Sequence, residues 1–196
     1  MWTILMGVAL SAAAFGAVWF DVRERRLPNA LTVGAFIAAL LLRAPQGLDA
    51  LSGGLVGALL AFGLALPFFL VGGLGGGDVK LLTAVGAFLG PRDLWFALFV
   101  MAMVGGLMAI FVIARNRAFG QTAINLRAIF STMGKGTFSG WRGGGEGSKA
   151  AVTLDTPGIL TVPYGVAIAA GALTAWFVYG ANPEWSLTAT LAGWLA

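Results

Sequence analysis

The sequence contains no cysteine and no histidine, and only eight of its 196 residues are acidic. Without cysteine there is no disulfide, no thiol nucleophile and no thiolate metal site. Without histidine, a zinc site of the usual ligand types is excluded as well. A metal would need oxygen ligands alone, and the few carboxylates are scattered along the chain, so no metal and no other cofactor is expected. Charge is scarce too. Charged residues make up 10% of the chain against 59% hydrophobic, and the mean hydropathy of +0.89 belongs to a chain in lipid.

What the sequence has instead is long uncharged apolar runs. A run of about 18 or more such residues reads as a bilayer span. Six spans are predicted, at about 2–20, 27–42, 51–74, 78–90, 94–114 and 158–179. Turn or charge signals separate them: Pro28-Asn29, the stretch 43–47, the glycine-rich stretch 72–77, Gly90-Pro91-Arg92-Asp93 and the polar stretch 115–157. The fold class is therefore an all-α integral membrane protein of six transmembrane helices, with a glycine-rich break before a short fourth helix. The first run has no basic residue ahead of it, the earliest being Arg23, so it reads as a retained helix and not as a signal peptide. The apolar tail at about 183–196 is too short to span and reads as interfacial. One membrane-embedded domain over 1–196 accounts for the whole chain.

Sidedness follows from counting basic residues. The first, third and fifth loops hold Arg23, Arg25, Arg26, Lys80, Arg115, Arg117, Arg127, Lys135, Arg142 and Lys149, ten of the twelve; the other two loops hold Arg43 and Arg92. The positive-inside rule places the odd loops in the cytoplasm and the amino terminus outside. Trp2, Trp95, Trp176, Tyr179 and Trp185 then fall near the outer interface, as an aromatic belt would. Orientation also accounts for the net charge of +4, and with no aromatic-studded basic face nucleic acid is not expected as a partner.

On this topology Asp21 and Asp78 lie on the same side. Asp21 ends the first apolar run; Asp78 follows the glycines and opens the fourth span. A span over 78–90 is roughly 20 Å of helix against a hydrocarbon core of about 30 Å, which draws Asp78 below the inner surface. Irregular backbone at that depth is tolerated only where it is buried in protein or lines a wet cavity. An ionisable residue there is a functional candidate.

Each aspartate also has a structural reading. Asp78 has the position of a helix N-cap, whose carboxylate takes the free N–H groups of the first turn. Asp21 sits at a helix carboxyl end, where the macrodipole disfavours an anion, and could be an interfacial charge paired with Arg23 or Arg25. Glu24 reads as a solvated partner of the arginines. The functional reading needs only the two aspartates. Two carboxyls held close cannot both ionise easily, so one keeps a proton while the other is charged. The charged one can take a proton from water while the neutral one donates to a carbonyl oxygen, the division of labour of an aspartic protease.

At these residues the chain resembles the GxGD membrane aspartyl proteases, and within them the type IV prepilin peptidase family. The first motif of that family, an Asp with basic neighbours and a following Pro-Asn, is matched by Asp21, Arg23, Pro28 and Asn29. The second, GxGD with a hydrophobic residue and Lys after it, is matched by Gly75, Gly77, Asp78 and Lys80. A late Pro-aromatic-Gly is matched by Pro163, Tyr164 and Gly165 after Val162. The resemblance implies catalysis by Asp21 and Asp78, with a prepilin or pseudopilin as the substrate. Its leader would be cut after a glycine and ahead of an apolar helix, at the cytoplasmic face of the inner membrane. The larger members carry a cysteine-bearing domain between the first two helices and also methylate the new amino terminus. This chain has no cysteine and no such loop between its first two helices, so it resembles the small Flp-type, tight-adherence branch, and methyl transfer is not expected.

Two other classes compete. A small proton- or cation-coupled transporter would use the same aspartates, but the second half shows no echo of the glycine-broken span. A non-catalytic pilus-assembly protein would not require both aspartates. Elsewhere, 121–133 has the pattern of a short amphipathic helix and 134–148 that of a flexible glycine-rich segment. The basic residues of the 115–157 loop suit anionic lipid headgroups. Gly53 with Gly57, and Gly105 with Ala109, have the spacing of close helix packing, and Pro67 is expected to kink the third span. Lys80 reads as a headgroup ligand or as relief for a second nearby negative charge.

Overall fold

The structure, a computed structural model, describes residues 1–70, 73–116 and 163–180. All but the first two residues of the 115–157 loop lie outside this set, as do 158–162 of the sixth predicted span, Val162 and the 183–196 tail. Among the described residues there is no strand. The elements are α1 (Trp2–Glu24), α2 (Asn29–Arg43), α3 (Leu48–Leu70), α4 (Gly76–Arg115) and α5 (Tyr164–Ala175); α5 continues into a π-helical turn, Trp176–Gly180. A short 3₁₀ turn, Ala44–Gln46, joins α2 to α3. The helices α1, α3 and α4 are each long and apolar enough to cross a membrane.

α4 is two rods. The helix breaks at Gly90, whose φ of 79° and ψ of 177° suit glycine and few other residues. Pro91 follows and brings no N–H to continue the ladder. The break predicted at Gly90-Pro91 is therefore present, but it is a one-residue corner and not a loop. The limbs are 76–89 and 91–115.

The bundle is small inside and large outside. Ala17, Ala39, Ala61, Ala87, Ala167 and Ala172 are fully buried, whereas Ile4, Phe15, Leu59, Phe68, Phe99, Leu107 and Phe111 stand exposed. A soluble monomer rarely shows so much contiguous apolar surface. In lipid there is no hydrophobic force between helices, so small residues that let backbones approach mark the interfaces. α4 lies at the centre, packed on α3, α5 and α2, with α1 against α5 and α2. The closest approach is Gly57 of α3 on Gly86 of α4, where a Cβ on either would collide with the other's carbonyl oxygen. Gly57 thus pairs across to α4, while Gly53 faces the Arg43 side chain. Gly171 similarly meets the Ala97 carbonyl, and Gly105 faces Ala167 and Tyr164. α3 runs through Pro67 to Leu70.

Several boundaries differ from expectation. α1 continues past Phe20 to Glu24 and stops where Arg25 turns left-handed (φ 51°, ψ 28°), its N–H bonded to the Asp21 carbonyl. Charged side chains do not stop a helix once it leaves the apolar layer, so Asp21 lies inside the last turns of α1. α3 begins at Leu48, a few residues earlier than the run 51–74, and is described as far as Leu70.

Candidate active site

Three helix ends meet at one end of the bundle: the close of α1 and the starts of α4 and α5. Asp21 comes from α1 and is buried, 8% exposed. Its Oδ2 accepts the Gly165 N–H at 2.7 Å, in the first turn of α5, and the Val166 amide also reaches the carboxyl. That contact answers the objection from the macrodipole. The anion sits at the carboxyl end of its own helix but at the amino end of another, where free N–H groups converge. Arg23, a candidate partner, instead lies over the Trp19 ring, 5.2 Å from its centroid, while the Arg25 charge acts on Asp21. Glu24 is exposed.

Asp78 enters from α4. It is not the N-cap, as its position after the glycines led us to expect. The helix starts two residues earlier, at Gly76, because Gly76 and Gly77 adopt helical geometry. Gly75 occupies the cap, and the Asp78 carboxylate reaches back to accept its N–H at 3.1 Å. Asp78 is half-buried and feels the charge of Asp21, so the two carboxyls lie within electrostatic reach of each other. Residues 57 positions apart thus lie at the same end of the bundle.

The surrounding motif residues have assignable positions. Gly77 lets the loop before α2 close over the start of α4: a Cβ there would stand 2.9 Å from the Leu27 Cβ. Pro28, extended at φ −62° and ψ 138°, caps α2, and Asn29 opens it. The Lys80 Nζ donates to the Asn29 Oδ1 at 2.8 Å, joining the first motif to the second. The buried Thr32 hydroxyl returns to the Asn29 carbonyl at 3.3 Å. Pro163 caps α5 and Tyr164 begins it, the Tyr164 ring lying along Gly105 of α4. Gly165 is in van der Waals contact with the carboxyl. A Cβ on it would lie 2.8 to 3.0 Å from three atoms of the Asp21 side chain.

Sequence reasoning missed two features of this arrangement. The Lys80–Asn29 bond was not foreseen, since the two residues lie in separate motifs 51 positions apart. The Gly165 amide was missed because a backbone donor has no residue identity to read. Among the described residues no three acidic side chains cluster closely enough to hold a metal ion.

The model of the type IV leader peptidase family matches residues 8–110, more than half of the chain and both aspartates. The chain belongs to the type IV leader peptidase family. Among curated relatives, the prepilin leader peptidase/N-methyltransferase of Neisseria gonorrhoeae is 29% identical over 126 residues, which cover 60% of this chain and 44% of that protein. The protein of the same description from Aeromonas hydrophila is 32% identical over 123 residues, covering 59% and 42%. The Aeromonas salmonicida protein gives 32% over 124 residues. Each match spans less than half the length of the relative. No solved structure matches.

Proposed function

We propose that the chain is a membrane aspartyl endopeptidase that removes the leader of type IV prepilins, of the small Flp type, after a glycine. Asp21 and Asp78 are its catalytic pair. The observation that carries this reading is the convergence of the two carboxyls at one end of the bundle, each held by a main-chain amide. The family membership and the names of the relatives support the substrate class.

In the proposed reaction the pair holds one proton. The charged carboxylate takes a proton from water as the water oxygen bonds to the scissile carbonyl carbon. The neutral carboxyl gives its proton to the carbonyl oxygen, leaving a neutral tetrahedral gem-diol. In the second step a hydroxyl of the gem-diol returns a proton to the carboxylate and the other carboxyl protonates the departing nitrogen. The C–N bond then breaks, releasing leader acid and pilin amine with the pair restored. No metal or cofactor is needed. Methyl transfer lies outside this chemistry.

The topology we propose has six spans, formed by α1, α2, α3, the two limbs of α4 and α5, in a single membrane domain of the inner membrane. The aspartate end faces the cytoplasm, and the amino terminus lies outside. The basic residues at the aspartate end (Arg23, Arg25, Arg26 and Lys80) support that orientation, as do Trp2, Trp95 and Trp176 toward the opposite end. The same basic end, with the polar 115–157 loop, would rest on anionic headgroups.

Co-expression with a prepilin precursor tests the assignment. Asp21→Asn and Asp78→Asn are each expected to stop the precursor's shift in gel mobility while the protein stays in the membrane at normal level. Continued processing by either variant rejects that residue.

A further inference from the structure

Arg43 is half-buried at the end of α2, far from the aspartates and outside every motif. Its Nε donates to the Ala87 carbonyl at 2.8 Å and its Nη2 to the Phe88 carbonyl at 2.9 Å. These carbonyls belong to the last turn of the 76–89 limb. In a continuous helix the Ala87 carbonyl would take the N–H of residue 91, but residue 91 is proline and has none. Ala87 and Phe88 are buried in the bundle, and an unpartnered carbonyl there would be costly. The guanidinium therefore supplies donors at the corner of α4. Its Nη1 donates to Ala50 in the first turn of α3 at 2.9 Å, and the Asp93 charge acts on it from the far side of the corner. Gly54 makes room for the stem: a Cβ there would lie 2.5 Å from the Arg43 Cδ.

α2 is thereby pinned to the same limb at both ends. Asn29 at its start holds Lys80, and Arg43 at its end holds Ala87 and Phe88. That limb carries Asp78 in its first turn. A slip of one residue moves a helix by about 1.5 Å along its axis, enough to part Asp78 from Asp21.

We propose that Arg43 is a positioning residue: by capping the corner of α4 it fixes the height at which Asp78 meets Asp21. The proposal rests on the peptidase reading for its effect on rate, and on geometry alone for its effect on placement. A fork of N–H groups is required, which lysine does not have.

The test uses the full chain in lipid vesicles. Because the chain has no cysteine, spin labels on Glu24→Cys and Gly76→Cys, both exposed at the aspartate end, report the distance from the close of α1 to the start of the α4 limb. A Cβ at Gly76 makes only ordinary contact, 3.6 Å from the Phe69 ring. With Arg43 present, one narrow distance distribution is expected. Adding Arg43→Ala, or Arg43→Lys, is expected to shift or broaden it. Without the cysteine pair, the same variants are expected to lower kcat on a prepilin roughly ten- to a hundredfold with KM little changed, as a displacement near 1 Å would. An unchanged distribution in both variants overturns the proposal, even if the melting temperature falls, since Arg43 would then only stabilise. Full recovery of the wild-type distribution with lysine overturns it as well. If Arg43→Ala does not fold, Arg43→Lys decides alone. A wild-type chain that cuts no prepilin contradicts the peptidase reading instead, and the distance result still decides the role of Arg43.

Discussion

At the scale of single residues, the site is defined as much by what is missing from Gly165 as by the carboxyls themselves. A methyl group on Gly165 would press on Oδ2, Cγ and Cβ of Asp21 at once, all at 3.0 Å or less. Neither side can yield cheaply, because one is the helix start and the other a buried side chain. Gly165→Ala is therefore expected to cut prepilin cleavage by about tenfold or more through displacement of Asp21. Its level in the membrane should stay near wild type, as measured by parallel immunoblot and gel-shift assay. Both aspartates were readable from the sequence, since an acidic residue at the edge of an apolar run has few uses. Their supports were not. The amides of Gly75 and Gly165 are backbone groups, and the Lys80–Asn29 bond joins residues 51 positions apart with nothing local to announce it.

At the scale of elements, the breaks between helices were legible wherever proline or glycine stood beside charge. The Gly90-Pro91 corner is the clearest instance, and Pro28 at the head of α2 another. Helix ends were less legible, because charged residues can ride on a helix beyond the apolar layer, as α1 does to Glu24. Packing partners were not legible either. Gly57 carried a packing signal, but that its partner is Gly86 depends on the relative height of two helices. That contact makes a prediction at its own scale. Gly57→Ala should force α3 and α4 apart and cost about 1–3 kcal/mol, seen as a lower melting temperature in detergent. Gly63→Ala, on the same helix with nothing within 4 Å, should leave the melting temperature unchanged or slightly raised.

At the scale of the whole molecule, the inside-out distribution of small and large side chains agrees with a bundle solvated by lipid. The structure also divides the molecule into an aspartate end and a corner end, where Gln46 meets Met6 through a 3.3 Å contact. The proposed orientation puts the first in the cytoplasm. The cysteine-free background allows a direct check in intact cells with a membrane-impermeant thiol reagent. Gln46→Cys is expected to label from outside and Glu24→Cys only after the membrane is opened; the reverse pattern would invert the topology.

The central claim is that Asp21 and Asp78 act as one unit on a peptide bond. Single-turnover cleavage of a purified prepilin in lipid vesicles, compared across wild type, Asp21→Asn, Asp78→Asn and the double variant, tests it most directly. Groups that share one step are not additive, so each single variant should fall to the same floor as the double, roughly a thousandfold or more below wild type. A single variant that keeps most of the rate, or a double loss equal to the product of two modest ones, would contradict the account.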